Sequence, residues 1–293
     1  MIADRESYVP VETVNNKIEM KAFFTNLKYC LASLLIALVV NSTYGQTIHR
    51  DFKFKKGDEF QRQIVVKSNC LLQRGSQRLN LSTYSAVTKS YKVSNIAGGS
   101  ATMNITVNKI IDSINALGQK VVFNSEKRPD PDSFIQMALL QMVGKPSLVS
   151  VDEAGKIMSV QKQLSVDDTL LSFTGIQNET FANGSLLEFT LDFPGNTMLK
   201  KGYTWTNSSA SRVSNFTIYA VNSRTTTITY TTTDLAGNLN SRINGVMLVD
   251  NESGIILKRS TQSVTTGYEL VKGVIYTATR RTATSEVCYK VNP

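Results

Sequence analysis

The sequence predicts a mainly β protein: an antiparallel meander forming a barrel, half-barrel or sandwich, with one buried apolar helix at about residues 133–143. Three observations carry that prediction. Apolar and polar residues alternate with period two over most of the chain after Asp58, as strands with one buried face require. Turn signals at Gly98-Gly99, Asn183-Gly184, Pro194-Gly195-Asn196, Ala236-Gly237-Asn238 and Asn244-Gly245 cut the alternation into hairpin lengths. One stretch, from Ser133 to Val143, breaks the alternation and has helical composition.

Taken in order, strands are expected at Glu59–Leu72, Leu79–Val93, Ser100–Ile111 and Lys120–Asn124. Pro131, Asp132 and Ser133 then give a helix start, and Gly144 followed by Pro146 gives a stop. Only Gln136 and Gln141 are polar in between, so this helix should be buried on almost every side. At ~16 Å it is far too short for a membrane and suits a plug against the concave face of a curved sheet. A short helical turn is expected at Asp167–Phe173. A strand is expected at Ser185–Phe193, with Leu187, Phe189, Leu191 and Phe193 on one face and Glu188, Thr190 and Asp192 on the other. The remaining strands are expected at Thr204–Val213, Phe216–Val221, Thr225–Thr233, Gly245–Val249, Ile255–Thr265 and Val271–Thr284.

Two motifs recur. Phe54-Lys55-Lys56-Gly57-Asp58-Glu59-Phe60 matches Leu199-Lys200-Lys201-Gly202-Tyr203-Thr204-Trp205: an apolar residue, Lys-Lys-Gly, two variable residues and an aromatic. Later, Val151-Asp152-Glu153-Ala154-Gly155-Lys156-Ile157 matches Val249-Asp250-Asn251-Glu252-Ser253-Gly254-Ile255. Each of the latter reads as a hairpin whose Asp bonds its own turn and whose Gly accepts positive φ. Residues 46–293 thus read as one β-rich domain with possible halves at 46–165 and 185–293.

The N-terminus carries an export signal that starts at Met20. Lys21 to Lys28 form a short basic region, Cys30 to Val40 an apolar run, and Thr43-Tyr44-Gly45 a cleavage site before Gln46. Residues 1–19 read as an over-extended start and 20–45 as the signal peptide. The apolar run is shorter than the ~20 residues of a bilayer span, so no integral span is expected after cleavage. The predicted location is periplasmic, outer-membrane-associated or secreted. The net charge of +9 survives cleavage, because the first 45 residues hold four basic and four acidic side chains. Such a surface favours anionic partners, among them acidic polysaccharide. Nucleic acid is not expected, because no basic stripe is interleaved with aromatics. Export would allow a Cys70–Cys288 disulfide. Strand parity argues instead for separate thiols: Cys70 shares a face with Phe60, Ile64, Val66 and Leu72, whereas Cys288 alternates with an apolar Val287, Tyr289 and Val291 face.

The export signal, the Phe-Lys-Lys-Gly-Asp-Glu-Phe opening, the Val-Asp-Glu-Ala-Gly-Lys-Ile hairpin and the Lys-Gly-Tyr-Thr-Trp segment together resemble an uncharacterised secreted β-rich envelope family of Bacteroides-like bacteria, a domain of unknown function. The resemblance covers nearly all of Gln46–Pro293. It implies an envelope location and a β architecture, and it brings no catalytic residues with it.

No catalytic constellation stands out. His49 is the sole histidine and sits just after the cleavage site, which excludes a multi-histidine metal site. No calcium loop, Walker loop or dinucleotide fingerprint is present, so no cofactor is expected. Paired-carboxylate hydrolysis would have to draw on Asp130, Asp132, Asp152, Glu153, Asp167 and Asp168, which also suit turns and caps. The candidate ligand surface is the helix: Phe134, Met137, Leu140 and Met142 offer soft apolar contact for lipid or another hydrophobic ligand, or a core plug. Tyr203 and Trp205 could rim a site or enter the core. The expected function is therefore non-catalytic binding of a hydrophobic ligand or an envelope protein. The alternative is a structural or adhesive envelope component, for which the Thr-rich stretch Thr225–Thr233 would supply an exposed edge.

Overall fold

Strand β2 (Glu59–Arg74) and the last strand, β14 (Val274–Val291), pair antiparallel along nearly their whole length, from Glu59↔Val291 to Gln73↔Thr277. That pairing joins two meanders into one 12-stranded antiparallel sheet. The structure, a computed structural model, describes residues 46–47, 54–163, 174–176, 180–191, 193, 198–271 and 273–291. All of these lie in the unit Gln46–Pro293.

From β2 the chain continues through β3 (Gln77–Ala97), β4 (Ser100–Ala116), β5 (Gln119–Asn124), helix α1 (Phe134–Met142), β6 (Pro146–Val151) and β7 (Ile157–Lys162). The second meander comprises β9 (Thr204–Ser208), β10 (Arg212–Val221), β11 (Thr225–Ala236), β12 (Leu239–Asp250), β13 (Ile256–Val271) and β14. Strand β1 (Gln46–Thr47) pairs β8 (Met198–Leu199) in a separate two-stranded piece. The large sheet runs β7-β6-β4-β3-β2-β14-β13-β12-β11-β10-β9, with β5 also paired to β4. It stays open, with β7 and β9 at its edges, so neither a closed barrel nor a two-sheet sandwich forms.

Order within the halves is the same: β7-β6-β4-β3-β2 in one, β13-β12-β11-β10-β9 in the other. Their turns share backbone hydrogen bonds. Gly57 N–H donates to the Val93 carbonyl at 2.9 Å and Gly202 N–H to that of Ile218 at 2.8 Å. Val93 and Ile218 in turn donate to the carbonyls of Asp58 and Tyr203. In the Asp hairpins, Gly155 N–H donates to the Asp152 carbonyl at 3.1 Å and Gly254 N–H to that of Asp250 at 2.9 Å. The carboxylates cap these turns, Asp152 accepting from Ala154 and Lys156 N–H and Asp250 from Ser253 N–H.

Residues 185–191 differ from expectation. They form no strand of the sheet but a strap across its inner face, held by isolated bridges at Lys156↔Leu186 and Thr190↔Ile255. Each Asp hairpin grips the strap identically, four residues apart. Leu187 N–H donates to the Gly155 carbonyl at 3.0 Å and Leu191 N–H to that of Gly254 at 3.3 Å. The apolar face predicted for this stretch is the buried one: Leu187, Phe189 and Leu191 enter the core. Lateral pairing is lost because its backbone groups bond to hairpin turns rather than to a neighbouring strand.

Other boundaries also move. The expected strand Thr204–Val213 breaks at Ser209, whose N–H donates to the Arg212 carbonyl at 2.8 Å and turns β9 into β10. β11, which contains the Thr-rich stretch, is paired by β10 on one side and β12 on the other, so it offers no free edge. The expected turn at Asp167–Phe173, the turn Pro194-Gly195-Asn196 and His49 lie outside the described residues.

Candidate functional site

Strand parity divides the sheet into a face that packs and a face that does not. On the packed side, Phe60, Tyr91, Val93, Met103, Val149, Val151 and Ile157 close over Leu187 and Phe189 of the strap. Phe189 stacks on Phe60 at 5.7 Å and meets Tyr91 edge-on at 4.7 Å. In the second half, Ile218, Ile228, Met247 and Val249 pack against Leu191. An aromatic ladder extends that core outward: Trp205 stacks on Phe216 at 4.9 Å, and Phe216 on Tyr230 at 5.7 Å. Gly245 is required beneath it, since a Cβ there would overlap the Tyr230 ring.

An ion network lies where the strap crosses β2 and β14. The Arg62 guanidinium, 3% exposed, donates to Glu286 at 2.7 Å and pairs with Glu188 of the strap. Arg259 sits 3.7 Å from Glu286 and donates to the Glu188 backbone carbonyl at 2.8 Å. Burial pushes the Glu188 carboxyl up, but Arg62, Lys89 and Arg259 outweigh it and hold the group below the ordinary range. The network fastens the strap with charge as well as with apolar contact.

This network corrects the parity expected for Cys288, not the expectation of separate thiols. Cys288 faces the core at 4% exposure beside Glu286, whereas Tyr289 and Val291 are 39% and 38% exposed. Cys70 lies on the same packed face but opposite Arg280, while Cys288 lies opposite Arg62. Eight residues of strand, about 26 Å, separate the two levels, far beyond disulfide reach. Both thiols are free. Burial pushes Cys288 up to about 12 and raises Cys70 against the pull of Arg280, so neither is a ready nucleophile.

Helix α1 is capped by Ser133, whose Oγ accepts from Gln136 N–H at 3.4 Å. Its burial is one-sided rather than all-round. Ala138 is buried, and Leu139 and Met142 are buried against Val87, Ile110, Phe123 and Ile176, while Phe134 is 83% exposed and Met137 and Leu140 are half-buried. Tyr203 and Trp205 belong to the aromatic ladder of β9, packed at the margin of the second core. The structure therefore does not bring the six sequence-predicted ligand residues together. Two of the candidate acids cap turns: Asp130 accepts from Asp132 N–H at 3.0 Å, and Asp152 caps its hairpin. Asp167 and Asp168 lie outside the described residues. Among the described residues no group of three or more His, Cys, Asp or Glu could hold a metal.

One carboxylate was not singled out by sequence. Asp112 on β4 is 2% exposed and accepts from Ser85 Oγ at 2.5 Å, while that same Oγ accepts from Gly175 N–H at 3.2 Å. Burial pushes its carboxyl up to about 6 against the Ser85 hydrogen bond.

An open concavity lies in the second half. It is an open depression of about 430 Å³ across β10 to β13, lined by Asn215, Thr217, Thr229, Thr231, Asn244, Val246, Ser260 and Gln262 together with Tyr230, Gly245 and Thr261. The eight named first share the parity opposite to the packed face. Register sets them in two rows of four: Thr217-Thr229-Val246-Ser260 and Asn215-Thr231-Asn244-Gln262. Seven of these eight side chains are neutral hydrogen-bonding groups. A small cavity on the packed side is lined by Ser68, Cys70, Thr83, Thr174, Glu269 and Arg280, with Arg280 donating to Glu269 at 2.8 Å.

No protein-family model matches the sequence, and no curated protein does. Among solved structures, an outer membrane channel from Pseudomonas putida F1 superposes with a TM-score of 0.26 at 5% identity, covering 82% of this chain and 98% of that one. Pseudomonas aeruginosa OpdQ gives 0.22 at 7% identity, over 82% and 100% of the two chains. Pseudomonas aeruginosa OccK5 (OpdH) gives 0.21 at 6% identity, over 81% and 99%. Overlaps this weak carry no argument about this chain.

Proposed function

We propose that this chain is an exported, non-catalytic binding protein of the bacterial envelope, and that its ligand surface is the polar sheet face over β10 to β13. The observation that carries this reading is the depression of about 430 Å³, the size of a small-ligand site, on the side of the sheet that packs nothing from the strap or the helix. Its rows offer neutral donors and acceptors and no thiol, imidazole, amine or carboxylate. Asp130 and Asp152 are engaged in turns, and both thiols are buried. Export rests on the signal-like segment 20–45.

The reading is tested by screening the purified chain against soluble polysaccharides and peptides, then repeating the strongest hit with Asn244→Ala/Gln262→Ala. Both side chains are exposed, so the fold should be unchanged by circular dichroism. Loss of at least about fivefold in affinity, ~1 kcal/mol, supports the site. Unchanged affinity sinks it.

A second reading keeps the hydrophobic ligand, and one observation favours it: Phe134 stands 83% exposed at the start of an apolar helix. Phe134→Glu, which disturbs no core contact, should then abolish uptake of a hydrophobic dye.

A further inference from the structure

We propose that the ligand of this polar face is a segment of acidic polysaccharide, an inference that rests on the binding reading above and adds the ligand's charge. Charge is distributed unevenly around the two rows. Strands β9 to β14 carry the described carboxylates Asp234, Asp250, Glu252, Glu269 and Glu286. None lines the two rows. Asp234, Glu269 and Glu286 have the parity of the packed side. Asp250, at the end of β12, has the depression's parity, but its carboxylate accepts from Ser253 N–H and Oγ, and Glu252 lies in that same turn.

The cations are distributed the other way. Val213-Thr233-Arg242-Val264-Arg281-Asn69 forms the next row beyond Asn215-Thr231-Asn244-Gln262. Lys258 flanks Ser260 on the opposite margin, and the Gln262 row continues through Ala283 to Lys67 of β2. Lys67, Arg242, Lys258 and Arg281 are all exposed, and none joins an ion pair among the described residues. A neutral field of hydroxyls and amides is therefore fenced by positive charge, and no carboxylate lines it.

Dimensions and chemistry select the occupant. Side chains along a row repeat at about 4.8 Å and successive rows stand about 6.7 Å apart, so Arg242 and Arg281 are roughly 10 Å apart. Sugar hydroxyls both donate and accept, and so do Thr, Ser, Asn and Gln, whereas carboxylate, sulfate or phosphate substituents need the flanking cations. Single-stranded nucleic acid fits less well, because the rows themselves hold no aromatic ring on which a base could stack. A lipid surface fits poorly too, since Val246 is the one apolar side chain of the eight.

The test measures binding of the purified chain to polygalacturonate, dextran sulfate, uncharged dextran and single-stranded DNA at about 0.15 M salt, where screening acts over ~8 Å. The variants are Arg242→Gln/Arg281→Gln on the face, Asn244→Ala/Gln262→Ala in the rows, and Lys120→Gln/Lys127→Gln as an equal loss of charge elsewhere. The proposal expects both acidic polysaccharides or one of them to bind and uncharged dextran to bind at least about tenfold more weakly. It also expects the arginine pair to lose about tenfold and the lysine pair less than about twofold. Equal losses in the two charge variants, or tighter binding of DNA than of either polymer, overturn it. Binding of dextran as strong as of the acidic chains, sensitive to Asn244→Ala/Gln262→Ala alone, overturns the acidic ligand while leaving the binding face. No polysaccharide binding by the unaltered chain overturns the acidic ligand, and a peptide hit sensitive to the row variant would still support the face.

Discussion

The half built from β2 to β7 and the half built from β9 to β13 turn with the same hydrogen bonds, yet they are filled differently. In the first, the sheet inserts β5 and α1 between β4 and β6, and the extra chain buries Leu139 and Met142 over Ile110 and Phe123. In the second, β11 passes straight into β12, and the corresponding surface is an aromatic ladder from Trp205 to Tyr230 seated on Gly245. Turn chemistry thus sets the frame, while the length of chain between the turns decides what each frame can bury. The half without an insert is the half whose opposite face carries the polar depression. Both frames meet at one strap, and the ways to break the comparison start there.

The largest effect is expected at the strap's ion network, which serves both halves at once. Arg62→Met removes a guanidinium that is 3% exposed and leaves the Glu286 carboxylate, 13% exposed, with only Arg259 at 3.7 Å. Stranding a buried charge typically costs ~3–5 kcal/mol, and the residual Arg259 contact places the expectation at the lower end. Chemical denaturation should show this as a lower midpoint with an unchanged slope. Proteolysis should cut the strap region before the rest, because the strap loses its charged anchor while both Asp hairpins keep theirs. A loss below about 1 kcal/mol would mean that the apolar contacts of Leu187, Phe189 and Leu191 hold the strap unaided.

The second test addresses what only the first half has. Asp112 pairs with Phe123 of the inserted β5, and its buried carboxyl is pushed up to about 6 from 3.8. Between those values the folded chain keeps a proton that the unfolded chain has released, so stability falls as pH rises from about 4 to 6 and is flat above. Asp112→Asn keeps an acceptor for Ser85 without the charge. It should flatten that slope and raise stability at neutral pH by about 2 to 3 kcal/mol, following 1.4 kcal/mol per pKa unit. Unfolding midpoints of both proteins at either end of the window check this. A parallel pair of pH curves would rule out the buried carboxylate as the cause.

How far this was readable in the sequence differs by region, and for physical reasons. The Lys-Lys-Gly and Asp-turn-Gly motifs are local: the Asp152 carboxylate bonds within four residues of itself, so composition alone exposes the turn. Alternation in residues 185–191 gave the buried side chains correctly and the pairing wrongly, because parity reports burial and not which backbone a strand bonds. Val287, Tyr289 and Val291 read as the core face of β14, yet Glu286 and Cys288 point inward. The reason is Arg62, 224 residues away, which makes a buried glutamate tolerable. The depression was invisible for a related reason. Its rows draw one residue from each of four strands, and Thr225–Thr233 shows its outward hydroxyls as part of a surface only once three neighbours are in register.

The finest discrimination between the halves uses the two hairpin glycines. Gly155 and Gly254 have φ of 76° and 68°, a region where an alanine costs about 1–2 kcal/mol. That cost should be common to Gly155→Ala and Gly254→Ala. At Gly155 there is a second term, because a Cβ would stand 2.9 Å from Thr190 Cγ2 of the strap, and Thr190 is itself anchored by its hydroxyl to the Leu187 carbonyl at 2.8 Å. Gly155→Ala should therefore lose some tenths of a kcal/mol to about 1 beyond its backbone strain, the cost of shifting one held side chain. Combining Gly155→Ala with Thr190→Ser removes the offending methyl and should recover that part of the loss, measured against Thr190→Ser alone. If nothing is recovered, the strap yields freely at Thr190 and only backbone strain is lost at Gly155. If the recovery appears, the first hairpin grips the strap by shape as well as by its backbone bond.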